Sequence, residues 1–395
     1  MDRKTAVVVI HGIGQQESFE ALDAFTRNFS KTYSELCRDS KQSAFLQKRH
    51  SLRRFPDWIE SYVSLNPGSA DKGAIDIYEY YWAHLTQRKI SACAVMQWLI
   101  KVSGGAREFY KRQKSHMANK PKNDRLFRKD GEFKNYEYLV WLLSFGNWIR
   151  YIFLVLASLF KIKRLGFLDI IKNIAMKPLE SYLGDVTIYS SSDKKSEYFY
   201  VRKKILDGAL RKVKFLLECE QYGRIILAGH SLGSVIAYDV LDRLNKEMNL
   251  DSNLRKLSSK IEGLVTFGSP LDKVAFFFDE HISKKKQSIR YALVSQLHSF
   301  KRVNVDTTTV ENSIEQYFEG TRWINFWAKT DPVSGHLDVY RGVENVEMDF
   351  SPRVRGFSFF GSKKYLLSHL LYWDDERMYK RIIEEFELVK KEVAE

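Results

Sequence analysis

The segment Arg224–Leu244 constrains the fold of this chain more than any other part of its sequence. Its first residues, Arg224–Ala228 (RIILA), predict a buried strand, and Ser231–Leu244 has the spacing of a helix. Between them stands Gly229-His230-Ser231-Leu232-Gly233, a G-x-S-x-G sequence at a strand-to-helix turn. Such a turn strains the serine backbone, and its glycines avoid collisions with the adjacent strand and helix. The alternative is a turn whose serine only caps the helix. The flanking segments favour a nucleophile, Ser231.

The rest of the chain alternates between strand and helix patterns. Further strands are predicted at Ala6–Ile10, Ala74–Trp82, Gly184–Tyr189, Gly263–Phe267 and Trp323–Trp327. Further helices are predicted at Phe19–Leu36, Tyr198–Glu220 and Asp375–Val393. This alternation predicts an α/β protein with a mostly parallel central sheet flanked by helices. Together with the serine turn, it predicts the α/β-hydrolase fold.

One region interrupts this alternation and predicts a helical, apolar and basic insertion over residues 86–177, between core segments 1–85 and 178–395. Within it, Tyr138–Phe160 is almost wholly apolar and long enough to cross a bilayer. Asn147 and Arg150 lie near its middle and are costly in lipid. Three placements stay open, namely a buried helical cap or lid, a segment docked at the membrane interface, and a membrane-spanning helix.

The net charge and the cysteine content restrict the expected binding partners and the expected cellular compartment. The formal net charge of +14 favours anionic partners, among them phospholipid surfaces. The basic residues are spread out and form no recognised nucleic-acid-binding module, so we expect no nucleic-acid partner. Three widely separated cysteines predict neither a disulfide framework nor a zinc site and fit a reducing cytosol. The N-terminal residues lack the pattern of a signal peptide, so we expect a cytoplasmic protein.

A serine hydroxyl needs a base, and chain order narrows the choice of histidine. In the predicted fold the nucleophile is followed first by the acid and then by the histidine. His336 and His369 are the two histidines beyond the last predicted strand. His369 stands just before the C-terminal helix and is preferred, whereas His336 is most simply a residue of a surface loop.

The acid is expected in a loop that follows a strand of the sheet. Asp331 comes directly after the strand segment WINFWAKT, where it can orient the imidazole and stabilise the imidazolium. Asp272, after Gly263–Phe267, is the second choice, with a turn or helix-capping role as its structural alternative.

The site also needs two backbone donors for a developing oxyanion. The amide of Leu232, directly after the nucleophile, predicts one of them. The loop His11-Gly12-Ile13-Gly14 after the first strand predicts the other, at the Ile13 amide, with Gly12 allowing close approach to a substrate. His11 is better explained as a hydrogen-bonded turn residue than as a catalytic group. We also assign supporting roles to three motif residues, Gly229, His230 and Gly233.

Four blocks of the sequence together resemble the catalytic core of the DDHD-type intracellular phospholipases A1. They are VVVIHGIG, GDVTIY with GHSLGSVIAYDVL, VTFGSPL, and NFWAKTDPV with SHLLYWDDE. The resemblance implies that Ser231 is the nucleophile, that Asp331 matches an acidic signature position, and that His369 matches the family's histidine. It covers roughly residues 5–15 and 183–375, not the insertion, and the stretch between His336 and Lys364 departs from the pattern.

This resemblance implies a hydrolase of glycerophospholipid esters that acts at membranes, and we expect a phospholipase or lysophospholipase. The serine mechanism requires neither a metal nor a cofactor. We expect peripheral membrane contact through residues 138–160 and their basic flanks. Two alternatives stay open: a soluble carboxylesterase or thioesterase, and a non-catalytic membrane adaptor built on the same scaffold. The sequence does not predict the oligomeric state, the head group or the acyl position.

Overall fold

The computed structural model describes residues 3–12, 17–39, 47–54, 59–66, 73–86, 189, 197–274, 300–302, 314–331, 333–351 and 368–389. The insertion predicted over residues 86–177 lies outside these residues except for Thr86, and so does the apolar segment 138–160. The division into core segments and an insertion therefore stays a prediction.

One eight-stranded sheet organises the described part of the chain. Its strands are β1 (Lys4–Ile10), β2 (Gln47–Arg54), β3 (Ile59–Asn66), β4 (Ile75–Tyr80), β5 (Tyr222–His230), β6 (Ile261–Phe267), β7 (Arg322–Trp327) and β8 (Val343–Glu347). The order across the sheet is β2-β3-β4-β1-β5-β6-β7-β8. All neighbours from β4 to β8 pair in parallel, whereas β2–β3 and β3–β4 pair antiparallel. The prediction of an α/β protein with a mostly parallel sheet is confirmed.

Helices cover both faces of this sheet. They are α1 (Glu20–Asp39), α2 (Glu197–Glu218), α3 (Leu232–Leu250), α4 (Ser252–Arg255), α5 (Leu271–Val274) and α6 (Glu376–Glu385), with 3-10 helices at Ala83–Leu85, Ser258–Lys260 and Leu371–Asp374. No helix in the described ranges combines the length and apolar character needed to cross a bilayer.

The central strands are apolar on both sides because both sides are buried. In β1, Ala6, Val8 and Ile10 join the core formed with α2 and α3. The intervening Val7 and Val9 join the opposite core, which includes residues of α1 and α6. Successive side chains of a strand point to opposite faces, so a strand with helices on both sides must be apolar throughout.

Several predicted elements differ from the observed ones. The hairpin β2–β3 and the edge strand β8 were not predicted. The sequences of β2 and β8 are largely polar, whereas β3 is buried in its second half. The last helix ends at Glu385, short of the predicted Val393, because the chain turns at Glu387 (φ 47°) and the Leu388 amide bonds back to the Ile383 carbonyl. Within the predicted strand Gly184–Tyr189 only Tyr189 is described, and it is helical.

The topology places several chain turns at one edge of the sheet. Because β1, β4, β5, β6, β7 and β8 run in the same direction, their carboxyl ends lie together. The turns after β1, β5, β6 and β7 carry His11, Ser231, Gly268 and Asp331, respectively. Residues far apart in sequence therefore meet at this edge.

Candidate active site

Ser231 occupies the turn between β5 and α3 in a backbone conformation that few residues adopt. Its φ is 53° and its ψ is −126°, and L-residues with a side chain avoid positive φ. The Ser231 amide donates a hydrogen bond to the Phe267 carbonyl of β6 at 3.0 Å. The neighbouring strand therefore holds the turn, and the strained serine is fixed at the carboxyl end of β5.

The two glycines of the motif are required by the close packing around this turn. A Cβ atom at Gly229 would lie 2.5 Å from the Gly233 carbonyl oxygen and 2.5 Å from the Ser234 Cα. A Cβ atom at Gly233 would lie 2.2 Å from the Ile10 carbonyl oxygen in β1. These obstacles are backbone atoms, which cannot rotate away, so the spacing G-x-S-x-G follows from contact between α3, β5 and β1.

The predicted nucleophile, base and acid form a continuous chain of hydrogen bonds. His369 Nε2 lies 2.9 Å from Ser231 Oγ, and His369 Nδ1 lies 3.0 Å from Asp331 Oδ2. All three residues are buried. The carboxylate can only accept, so Nδ1 carries the proton and Nε2 accepts from the serine hydroxyl. This is the tautomer that a general base for Ser231 needs.

Asp331 is ionised although it is wholly buried. Burial raises the pKa of its carboxyl, but the charge of His369, together with hydrogen bonds from His369 and the Val333 amide, outweighs burial and lowers this pKa to about 2. The turn is closed by a hydrogen bond from the Asp331 amide to the Ala328 carbonyl at 3.0 Å. The acid therefore carries its charge throughout the neutral range.

Two hydroxyl groups that we did not predict contact this acid. Tyr372 donates to Asp331 Oδ2 at 3.1 Å, and its phenol oxygen lies 2.9 Å from Ser334 Oγ. Both residues are buried. Each follows a predicted site residue closely in sequence, Ser334 after Asp331 and Tyr372 after His369. That proximity was the one available signal, and it does not reveal which way the side chains turn.

His230 packs against the catalytic candidate His369 from the strand side. Its Nε2 donates to the His369 carbonyl at 3.0 Å, and the two ring centroids are 4.8 Å apart. Burial lowers the pKa of His230 to about 3, so this ring is neutral. Gly268 (φ 61°) leaves room for both rings, since a Cβ there would lie 3.1 Å from an atom of each.

His11 is engaged at both ring nitrogens. Nδ1 donates to the Gly12 carbonyl at 2.8 Å, and Nε2 accepts from the Trp82 amide at 3.1 Å. Its ring stacks on the Trp82 indole, and burial lowers the pKa of His11 to about 4. His11 thus has the hydrogen bonds of a turn residue, as preferred from the sequence.

The predicted oxyanion donors are only partly described. Leu232 is the first residue of α3, and the first amides of a helix have no acceptor within it. A Cβ at Gly12 would lie 2.7 Å from Ser231 Cβ, so the first loop approaches the serine closely. Ile13 lies outside the described residues, and its role stays a prediction.

The second choices for base and acid lie elsewhere in this region. His336 Nδ1 lies 2.9 Å from Asp338 Oδ1 rather than against Ser231. Asp272 packs on Gly335, where an added Cβ would lie 1.9 Å from its Oδ2. Only the preferred pair, His369 and Asp331, forms the hydrogen-bond chain to Ser231 given above.

The chain matches no protein-family model, no curated protein and no solved structure. The structural class of the protein is therefore assigned from its own fold. The described residues form an α/β protein with a mostly parallel eight-stranded sheet. At the carboxyl edge of that sheet stands a buried chain of a serine, a histidine and an aspartate.

Proposed function

We propose that this protein is a serine hydrolase of the α/β-hydrolase type that cleaves carboxylic esters through an acyl-enzyme. The observation that carries the proposal is the hydrogen-bond chain from Ser231 through His369 to Asp331. The strained backbone of Ser231 supports it independently, because strain of this kind persists where the surroundings over-determine it and clusters at functional sites.

The proposed reaction has two halves. In the first, Ser231 Oγ bonds to the acyl carbon while its proton passes to His369 Nε2. The resulting imidazolium then gives that proton to the leaving alcohol as the carbon–oxygen ester bond breaks. In the second half, His369 takes a proton from water, the hydroxide attacks the acyl carbon, and Ser231 regains its proton as the acid departs.

One charge and two backbone amides assist these steps. The Asp331 carboxylate stays ionised and stabilises the imidazolium, so no proton moves to it. The Leu232 amide at the start of α3 is the proposed donor to the oxyanion, and the Ile13 amide is the proposed second donor. The Asp331 carboxylate and the Leu232 amide need no reorganisation when charge develops on the carbonyl oxygen.

The proposed substrate is a phospholipid or lysophospholipid ester presented at a membrane surface. Support comes from the blocks that resemble phospholipases A1 and from the net charge of +14. A soluble carboxylesterase or thioesterase would use the same three residues, so assays on physically different substrates are needed to separate the two.

Turnover assays with point variants test the proposal. We expect wild-type protein to hydrolyse a vesicular phospholipid, and Ser231→Ala and His369→Gln to lose activity by about three orders of magnitude or more. Ser252→Ala, an exposed serine at the start of α4, is the matched control and should retain activity. Cleavage of a short water-soluble ester alone would reject the lipid substrate. Activity that survives in Ser231→Ala would reject the serine mechanism.

A further inference from the structure

The hydrogen-bond chain continues beyond the acid into the loop that carries it. The Ala328 amide donates to Ser334 Oγ at 3.2 Å, Ser334 Oγ lies 2.9 Å from the Tyr372 phenol oxygen, and Tyr372 donates to Asp331 Oδ2 at 3.1 Å. Each hydroxyl has one proton to give. Since Tyr372 gives its proton to the carboxylate, the proton between the two hydroxyls belongs to Ser334. The direction of every bond is thereby determined.

Asp331 Oδ2 thus receives two donors from one short segment. His369 Nδ1 lies 3.0 Å from this oxygen, and Tyr372 follows in the adjoining 3-10 helix. The Tyr372 ring is itself held edge-on by Phe350 at a centroid distance of 4.9 Å. The same segment therefore supplies the base and a second hydrogen bond to the acid, and these two bonds join it to the loop that carries Asp331.

We propose that Tyr372 and Ser334 are positioning residues that orient Asp331 and moderate its attraction for the imidazolium of His369. The inference rests on the proposed function and adds two residues to its machinery. A carboxylate oxygen shared between two donors has less negative charge available for either one. Tyr372 therefore sets how firmly a proton is held on the histidine, and Ser334 strengthens Tyr372 as a donor.

The competing explanation is that Tyr372 and Ser334 only stabilise the fold. The pH dependence of the reaction distinguishes this explanation from the proposed positioning role. Among the described residues, the titratable groups facing this carboxylate are His369 and Tyr372, with neutral His230 behind the His369 ring. Loss of the Tyr372 hydroxyl should favour protonated His369. The acid limb of the pH–rate profile should then move to higher pH. Weakened packing alone would lower stability without moving this limb.

The test measures the rate of labelling by a fluorophosphonate probe between pH 5 and 9 for full-length variants. Tyr372→Phe should label about tenfold more slowly on the alkaline plateau, with its acid midpoint shifted to higher pH. Ser334→Ala should lower the labelling rate and raise the acid midpoint by smaller amounts. This substitution leaves the packing of the aromatic rings unchanged. The double variant should be no slower than Tyr372→Phe, because both residues act through one chain.

Tyr379→Phe is the matched control, since Tyr379 is equally buried and donates to the Trp373 carbonyl at 2.8 Å. It should lose stability but keep the wild-type acid midpoint. The inference is overturned if Tyr372→Phe and Ser334→Ala both keep the wild-type midpoint and label as fast as Tyr379→Phe. Wild-type protein that never reacts with the probe would instead reject the proposed function, and this inference with it.

Discussion

At the residue scale, the site depends on the negative charge of Asp331, a carboxylate that lies buried in the protein interior. Asp331 is fully buried, and burial alone raises the pKa of a carboxyl. Its partner His369 and the hydrogen bond from the Val333 amide reverse that shift. A buried charge with these partners is stable only while all of them are present. The acid is therefore tied to the folded state of its own loop.

This linkage predicts an acid-dependent loss of stability. The folded-state pKa of Asp331, about 2, lies below its ordinary value of 3.8, so its contribution is complete above pH 4 and is lost as pH falls to 2. The contribution is on the order of 2 kcal/mol. Chemical denaturation of wild type and Asp331→Asn should show the difference in unfolding free energy shrinking over this interval. Curves that stay parallel would contradict the ionised, paired aspartate.

At the element scale, periodicity predicted the central strands of the sheet and missed β2, β3 and β8 at its two ends. β1, β5, β6 and β7 are apolar because helices cover both of their faces, so their sequences alone indicate buried strands. Among the described strands, the edge strand β2 (QKRHSLRR) pairs with β3 alone, and its sequence shows no apolar alternation. Its strand conformation comes from pairing with the neighbouring backbone, which a sequence read locally does not reveal.

In the site, too, some residues were predicted from the sequence and others were not. Ser231, Asp331 and His369 were predicted because chain order and strand ends restrict where they can stand. The roles of Tyr372 and Ser334 were not predicted, because they depend on a contact between two chain segments that are far apart in sequence. The same limit applies to His230, whose motif position indicated a supporting role but not its bond to the His369 carbonyl.

The contact between α3, β5 and β1 predicts which glycines are replaceable. Gly233→Ala would place a methyl group 2.2 Å from the Ile10 carbonyl oxygen, so we expect a loss of about 1–3 kcal/mol or more together with lost activity. Gly320→Ala is the control, since an added Cβ there meets nothing within 4 Å. Thermal unfolding of both variants checks this. Equal stability of the two would mean that the turn is looser than described.

At the scale of the whole molecule, charge and the position of the site act together. The chain carries a net charge of +14, and the candidate site lies at the carboxyl edge of the sheet. A basic protein is drawn to anionic surfaces at long range, and dissolved salt weakens that attraction. For an enzyme with an insoluble lipid substrate, such attraction would raise the local substrate concentration without any change at Ser231.

Vesicle binding tests this surface attraction directly. We expect the full-length protein to co-sediment with vesicles containing anionic phospholipid more strongly than with purely zwitterionic ones. Added salt should release it, because screening shortens the range of the attraction. Ser231→Ala is the suitable form for this assay, since it binds without consuming substrate. Equal and salt-insensitive binding to both kinds of vesicle would contradict an electrostatic docking step.

The most direct test of the central claim is to locate a covalent adduct of a fluorophosphonate by mass spectrometry. Trypsin releases Ser231 within the peptide Ile225–Arg243, which also contains Ser234, so fragmentation must assign the adduct between the two. We predict one adduct per chain, on Ser231, that is absent from Ser231→Ala and nearly absent from His369→Gln. An adduct on another residue, or equal labelling of wild type and Ser231→Ala, would contradict the account.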